Sequence, residues 1–550
     1  MLAKVHIAEK SMGGKLLYKD LDLLINDGQK VGLIGRNGTG KTTLLNLISG
    51  LDKDYDGEID ISDKTRLAFT RQEHSDVKSM QLLQYILEDL PEYKDLKKKL
   101  DNLSNIPEPS TKQLESYSNA LERFNILGYF DVEEKIKEDL RRLQFSEELI
   151  NGQLLSLSGG QKRLAEVVKI MNSSANLVLM DEPTNHMDFV AKEWFIEWLN
   201  NYKGSVIVIT HDRDVLSVVN NIIEIKDLTA HNFVGNYDAY LKQNAVSASS
   251  GAADYENAQK RMERLKVQIN QAIVRKLQAP PEQAKKWKIL ENRLRKEYEH
   301  LNENTEKPSL WIDKESTTNL RKEDLAKYDK YKAKNINIQT SSSSHGVLSL
   351  VKVEDLSLGY GEVQIFNNLS FAITSGDKIE IRGRNGAGKT TLVKAILDSA
   401  SGHKNSFNIR YFGGLIETSQ NLSIGLYEQE LSADYLNLSL EEAIEKFHFD
   451  LNIKINSQMI HSIVASYLFE PGDLKTLVSN LSGGQKARLQ LIKMFINNPN
   501  LLILDEPTNH LDLPSIEELE EALKTYEGAI LYISHDSYFQ KALNGELINI

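Results

Sequence analysis

Gly35-Arg-Asn-Gly-Thr-Gly-Lys-Thr42 decides the reading of this chain, because nearly the same eight residues return as Gly383-Arg-Asn-Gly-Ala-Gly-Lys-Thr390, 348 positions later. Each copy follows a short β-branched run, residues 31–34 or 379–382, and precedes an apolar stretch with helical spacing. Strand, glycine loop and helix in that order form the setting of a phosphate-binding loop. Gly35, Gly38, Gly40 and Asn37, with Gly383, Gly386, Gly388 and Asn385, let backbone N–H groups wrap phosphate oxygens, and the helix that follows points its positive end at them. Lys41 and Lys389 add a point charge, Thr42 and Thr390 offer a hydroxyl to Mg²⁺, and Thr43 and Thr391 extend the phosphate-contacting set.

Outward from these loops the repeat continues in the same order in both halves. Leu157-Ser-Gly-Gly-Gln161 returns as Leu481-Ser-Gly-Gly-Gln485, and Asp181-Glu-Pro-Thr-Asn-His-Met-Asp188 as Asp505-Glu-Pro-Thr-Asn-His-Leu-Asp512. Each copy closes with a histidine after an apolar run, His211 or His535. Such duplication predicts two homologous α/β domains, over 1–240 and 346–550. Gln72 corresponds to Gln429, yet 85 residues separate Gln72 from Leu157 and only 52 separate Gln429 from Leu481. The surplus predicts a helical insertion in the first domain near 90–130, a stretch broken by Pro91, Pro107 and Pro109.

Residues 177–180 and 501–504 are continuous apolar runs of the kind found in buried parallel strands, and each ends in Asp-Glu. Asp181 and Asp505 are placed to hold Mg²⁺, and Glu182 and Glu506 to orient or deprotonate an attacking water. The Ser-Gly-Gly-Gln segments, Ser158 to Gln161 and Ser482 to Gln485, open helices. They can present hydroxyl and N–H groups to a phosphate, or serve as helix caps.

Composition bounds the rest. The 550 residues are 41% hydrophobic and 26% charged, ordinary for a globular protein, and no apolar run approaches the ~20 residues of a membrane helix. A count of 0 Cys removes disulfide, zinc-thiolate, iron–sulfur and thiol chemistry, and fits a cytoplasmic location. The net charge of -12 hides a basic segment: residues 241–340 hold 21 Lys and Arg against 14 Asp and Glu. Tyr255, Ala258, Met262, Leu265, Ile269 and Ala272, then Trp287, Leu290, Leu294 and Leu301, follow heptad spacing on either side of Pro280-Pro281. This predicts an antiparallel helical hairpin whose first helix covers 254–277, with an apolar seam and basic outer faces suited to a phosphate backbone.

The phosphate loop, glutamine, Leu-Ser-Gly-Gly-Gln signature, Asp-Glu pair and late histidine together resemble the ATP-binding-cassette nucleotide-binding domain, present twice over about four fifths of the chain. The resemblance implies ATP and Mg²⁺ as cofactors and a monomer whose two cassettes pair head to tail. Lys41, Gln72, Asp181, Glu182 and His211 would then face the signature at Ser482, Gly483, Gly484 and Gln485. Lys389, Gln429, Asp505, Glu506 and His535 would face Ser158, Gly159, Gly160 and Gln161. It further implies metal contacts from Gln72 and Gln429, catalytic roles for both histidines, and an aromatic on adenine. Tyr360 fits that last role in the second half; the first half has Met12.

Two cassettes in one chain with a long basic linker resemble the ABC-F ATPases. That resemblance implies a ribosomal partner, with rRNA and P-site tRNA contacts from the E site, the linker pointing toward the peptidyl-transferase centre, and no membrane subunits. The extended linker tip and Glu306-Lys-Pro-Ser-Leu-Trp-Ile-Asp313 resemble the antibiotic-resistance members; a housekeeping translation factor is the alternative. The tandem ATPase subunit of an importer, a third reading, would call for a short linker.

Overall fold

The computed structural model describes residues 1–70, 80–104, 110–185, 187–304, 311–313, 316–317, 328, 330, 332, 336, 349–402, 407–428 and 431–550. Gln72, Gln429 and residues 306–310 lie outside that set. The chain divides into two compact units, one of residues 1–237 with 337–550 and one of residues 238–336.

In the first repeat, β1 (Ala3–Met12), β2 (Lys15–Ile25) and β4 (Asp56–Ile61) form an antiparallel sheet in the order β2-β1-β4. Beside it lies a six-stranded sheet. β3 (Lys30–Gly35), β5 (Leu67–Phe69), β6 (Leu177–Asp181), β7 (Ser205–Ile209), β8 (Asn221–Lys226) and β9 (Thr229–Val234) take the order β5-β6-β7-β3-β8-β9. All of its pairings are parallel except the β8–β9 hairpin. β6 and β7 are buried along their whole length, which is why they read as unbroken apolar runs and not as alternation.

The second repeat rebuilds both sheets. β10 (Ser349–Tyr360), β11 (Val363–Thr374) and β13 (Arg410–Thr418) pair antiparallel as β11-β10-β13. β12 (Lys378–Arg382), β14 (Ile424–Tyr427), β15 (Leu501–Asp505), β16 (Ala529–Ile533) and β17 (Glu546–Asn549) pair parallel as β14-β15-β16-β12-β17. In both repeats the phosphate loop leaves the C-terminal end of an inner strand, β3 or β12, and one strand, β7 or β16, separates it from the strand that ends in Asp-Glu. Ligand sites of open α/β sheets form at that edge.

The insertion is a pair of helices, Tyr93–Ser104 and Thr111–Ile126, closed by an aromatic knot. The Phe124 ring centroid lies 5.8 Å from that of Tyr93, 5.5 Å from Tyr129 and 5.3 Å from Phe130.

The 238–336 unit carries a helical hairpin made of Tyr237–Gln278 and Pro281–Asn304. Its first helix has 42 residues, on the order of 60 Å, and starts 17 residues ahead of the sequence expectation. The extra turns carry Ala245, Ala248 and Ala252, which bury against Ile312 and Tyr328, while the Asn244 amide donates to the Trp311 carbonyl at 2.8 Å. Alanine at this contact favours helix without supplying the large apolar residues that mark a heptad. Arg261 meets Glu297 at 2.5 Å and Lys276 meets Glu291 at 2.5 Å, which fixes the hairpin as antiparallel. The seam corrects one expected position. Leu290 is exposed, and the buried residue of that turn is Glu291, whose carboxylate lies between Lys276 and, at 3.0 Å, Arg295. Two cations make a buried carboxylate tolerable where an unpaired one would be excluded.

Candidate functional site

The two phosphate loops are built alike. Gly40 and Gly388 sit at φ +94° and +104°, in the left-handed region, and each starts a helix, Lys41–Ile48 or Lys389–Ser401. A Cβ at Gly40 would fall 2.5 Å from the Tyr18 hydroxyl and one at Gly388 would fall 2.7 Å from the Phe366 ring, so glycine is required by conformation and by space together. Tyr18 is fully buried and donates to the Gly40 carbonyl. Lys41 and Lys389 are buried, with each Nζ on a carbonyl of its own loop, 2.7 Å from Gly35 and 2.6 Å from Gly383.

The hydroxyl of Thr42 donates to Asp181 Oδ2 at 2.8 Å, and that of Thr390 to Asp505 Oδ2 at 3.0 Å. Each pair brings a hydroxyl and a carboxylate together beside a buried lysine. These are the oxygen ligands a small hard cation takes when phosphates complete its shell, so the residues present fit Mg²⁺ bound with a nucleotide.

Glu182 and Glu506 follow directly, at φ +47° and +51°. A glutamate in that conformation is strained and persists where its surroundings dictate it. Burial, and then the neighbouring Asp181 or Asp505 charge, pushes each of these carboxyls up to about 8. His211 Nε2 lies 3.7 Å from Glu182 Oε1, and His535 Nε2 lies 3.3 Å from Glu506 Oε1, while the His535 N–H donates to Glu506 Oε2 at 3.2 Å. Burial, and then the adjacent Lys41 or Lys389, drives both imidazoles down to about 3, so they are neutral at ordinary pH. A carboxylate held near neutral proton affinity beside a neutral imidazole can take a proton from water.

The Ser-Gly-Gly-Gln segments are helix caps in this structure. The Ser158 hydroxyl accepts from the Gln161 N–H at 3.3 Å while the Gln161 side chain accepts from the Ser158 N–H at 3.0 Å, and Ser482 and Gln485 repeat both distances. Capping leaves the glycines free to meet the other repeat. A Cβ at Gly484 would fall 2.0 Å from Asn37 Nδ2, and the Asn37 amide donates to the His510 carbonyl at 2.9 Å. The second signature therefore packs on the first phosphate loop. At the preceding glycine of each signature, a Cβ would meet nothing within 4 Å at Gly159 and only His510 of its own cassette, at 3.5 Å, at Gly483.

Sequence reasoning missed two residues that join the halves. Asp188 Oδ1 accepts from the Ala191 N–H at 2.9 Å and caps helix Phe189–Asn201, while its Oδ2 accepts from the Asn385 N–H of the opposite loop at 3.2 Å. Asp512 does the same, capping helix Leu513–Thr525 through Ser515 at 3.2 Å and accepting from the Asn37 N–H at 3.3 Å. Their place at the end of the duplicated Asp-Glu-Pro-Thr-Asn-His motif was the available signal. A cavity of about 280 Å³ lies between these contacts, with Glu182, Lys192 and His211 on one side and Lys389, Glu506 and His535 on the other. Tyr360 and Met12 are both exposed at the ends of β10 and β1.

The family model described as ABC transporter matches residues 18–185 and 366–509, more than half of the chain. The chain belongs to the ABC transporter family. It carries two of these ATP-binding cassettes and is an ATP hydrolase of that type. It is 29% identical to the ATP-binding protein YdiF of Bacillus subtilis, over 98% of this chain and 78% of that one. It is also 29% identical to ABC transporter F family member 2 of Arabidopsis thaliana, over 98% and 75%. Among solved structures, the archaeal ribosome recycling factor in complex with stalk protein aP1 shares the tandem-cassette fold at TM-score 0.57 and 16% identity, covering 99% of this chain and 87% of that one. No helix among the described residues is long and apolar enough to cross a membrane.

Proposed function

We propose that this chain is a cytoplasmic ABC-F ATPase that binds the ribosome at the E site and uses its 238–336 unit to act near the P-site tRNA and peptidyl-transferase centre, protecting the ribosome from antibiotics. The observation that carries the reading is the basic hairpin joining two interlocked cassettes: Arg275, Lys285, Lys286, Lys288, Arg293 and Lys296 are all exposed on it. Clustered cations on a protein of net charge -12 meet a phosphate backbone first, and rRNA is such a surface.

In the cassettes, the loop N–H groups with Lys41 and Lys389 bind the phosphates of ATP. Thr42 with Asp181, and Thr390 with Asp505, would hold Mg²⁺, which neutralises charge on those phosphates when bound. Glu182 and Glu506 orient water and take its proton, and His211 and His535 hold those carboxylates in place. The signature facing each loop completes the site, so hydrolysis is tied to closure of one cassette on the other. Gln72 and Gln429 are assigned to the metal on resemblance alone, and Tyr360 to adenine.

An ABC-F translation factor with no role in resistance is the second reading. It is favoured by identities of 29%, 29% and 28% to proteins of a bacillus, a plant and Escherichia coli, which single out no specialised group. In vitro translation with a lincosamide, pleuromutilin or streptogramin A separates the two. Protection by the intact chain supports the first reading, and absence of protection with intact ribosome binding supports the second. The E182Q/E506Q variant, closed on ATP, should co-sediment with ribosomes more than wild type; equal sedimentation counts against a ribosomal partner.

A further inference from the structure

The two hydrolytic sites differ at one buried position that the repeat makes easy to overlook. Lys192 lies in the first turns of helix Phe189–Asn201, four residues after Asp188, and Ile516 holds the matching place after Asp512. Both side chains are buried and both line the cavity between the cassettes. Lys192 crosses to the other cassette, where its ammonium donates to the His535 carbonyl. The ammonium is held there from behind by Asp214 at 2.6 Å and Asp212 at 3.2 Å, and Asp214 in turn accepts from the Ser537 N–H at 3.3 Å and from the Ser537 hydroxyl. Ile516 can supply neither a proton donor nor a charge to the matching carbonyl of His211.

We propose that Lys192 is a positioning residue in trans for the Lys389 site, fixing the backbone of His535 so that its N–H and imidazole stay on Glu506, and that the Lys41 site works without such support. Two observations converge on this. The His535 residue is gripped from both ends, its N–H on Glu506 Oε2 at 3.2 Å and its carbonyl on Lys192. The His–Glu separation is 3.3 Å at the Lys389 site and 3.7 Å at the Lys41 site. The ring nitrogens of His211 and the Oε1 of Glu506 are alike buried without a hydrogen-bond partner among the described residues, so the sites differ in how near the imidazole stands to the glutamate and not in a completed ring hydrogen bond. The surrounding ion pairs share the asymmetry. Arg213 joins Glu520 and Asp536 of the second cassette, at 2.9 Å from Asp536, and the residues matching Arg213 and Glu520 in the repeat are Ser537 and Ile196. Lys192 and Arg213 thus cross from the first half to the second, while Arg384 crosses the other way, to Asp188 at 3.5 Å and to the Arg142 carbonyl at 2.9 Å.

The inference rests on Glu182 and Glu506 being the water-activating groups, and the test separates that assignment from the role of Lys192. E182Q leaves turnover to the Lys389 site and E506Q leaves it to the Lys41 site; each is measured alone and with K192M. The expected result is a fall in kcat of about tenfold on adding K192M to E182Q, the lower end of what removing a supporting partner costs, with KM for ATP changed much less and only a small effect in E506Q. K192R should restore most of the loss. K192M leaves Asp212 and Asp214 facing each other, so K192M/D214N, with its charge balance kept, is run alongside with melting curves and should show the same site preference. Equal losses in both backgrounds, or a loss in KM alone, would overturn the positioning role. Persistent turnover in E182Q/E506Q would instead overturn the glutamate assignment.

Discussion

Glu182 and Glu506 show most about the site at the scale of single residues, because each combines a left-handed backbone with a carboxyl whose proton affinity burial raises to about 8. Changing both to Gln keeps shape and removes the base, so ATP turnover should fall by about 10²-fold or more in a phosphate-release assay. Stability should respond in the opposite direction. The folded carboxyls sit near 8, well above the ordinary value of 4.5, so protons are bound in the folded chain and lost in the unfolded one between those limits. Stability contributed by these groups is therefore lost as pH rises through that window. Melting curves without nucleotide should show the Gln variants gaining on wild type as pH rises from about 5 to about 8; a constant gap would mean the carboxyls are ionised in the folded state. Gly388 supplies a second expectation. G388A puts a methyl 2.7 Å from Phe366 at φ +104°, and fluorescent-nucleotide titration should show weakened binding at the second site with the first unaffected.

The elements were legible to different degrees. Strands β6, β7, β15 and β16 announce themselves because burial on both faces leaves only apolar residues, and the phosphate loops because glycine is forced at Gly40 and Gly388. The hairpin was half legible. Met262, Leu265 and Ile269 fall where heptads put them, but the helix start at Tyr237 is hidden by alanines, and a charged Glu291 holds the place expected of Leu290. Periodicity counts apolar residues and cannot see a carboxylate neutralised by two partners. On this element Lys285, Lys286 and Lys288 are exposed and unneeded for the seam. Reversing their charge should weaken ribosome binding and flatten the slope of log K against log salt by somewhat under ~1 for each phosphate left unneutralised, with ATPase activity retained. An unchanged slope would place the RNA-binding surface elsewhere.

Across the whole of the cassette-bearing unit, the clasp between halves is what sequence could not show. Asp188 and Asp512 are ordinary helix caps until the partner loop is in view, and their second oxygens decide which N–H each loop offers outward. D188A should impair the Lys389 site and D512A the Lys41 site, read as loss of turnover in the single-site E182Q and E506Q backgrounds respectively. The division of each carboxylate has another consequence. When the halves part, Oδ2 of Asp188 gives up Asn385, but Oδ1 still holds Ala191, and the exposed helix does not fray. Asp512 keeps Ser515 in the same way. If hydrolysis parts the halves, as the proposed function requires, each carboxylate would keep its helix capped while it waits for the opposite loop, and re-closure would need no refolding at either helix start.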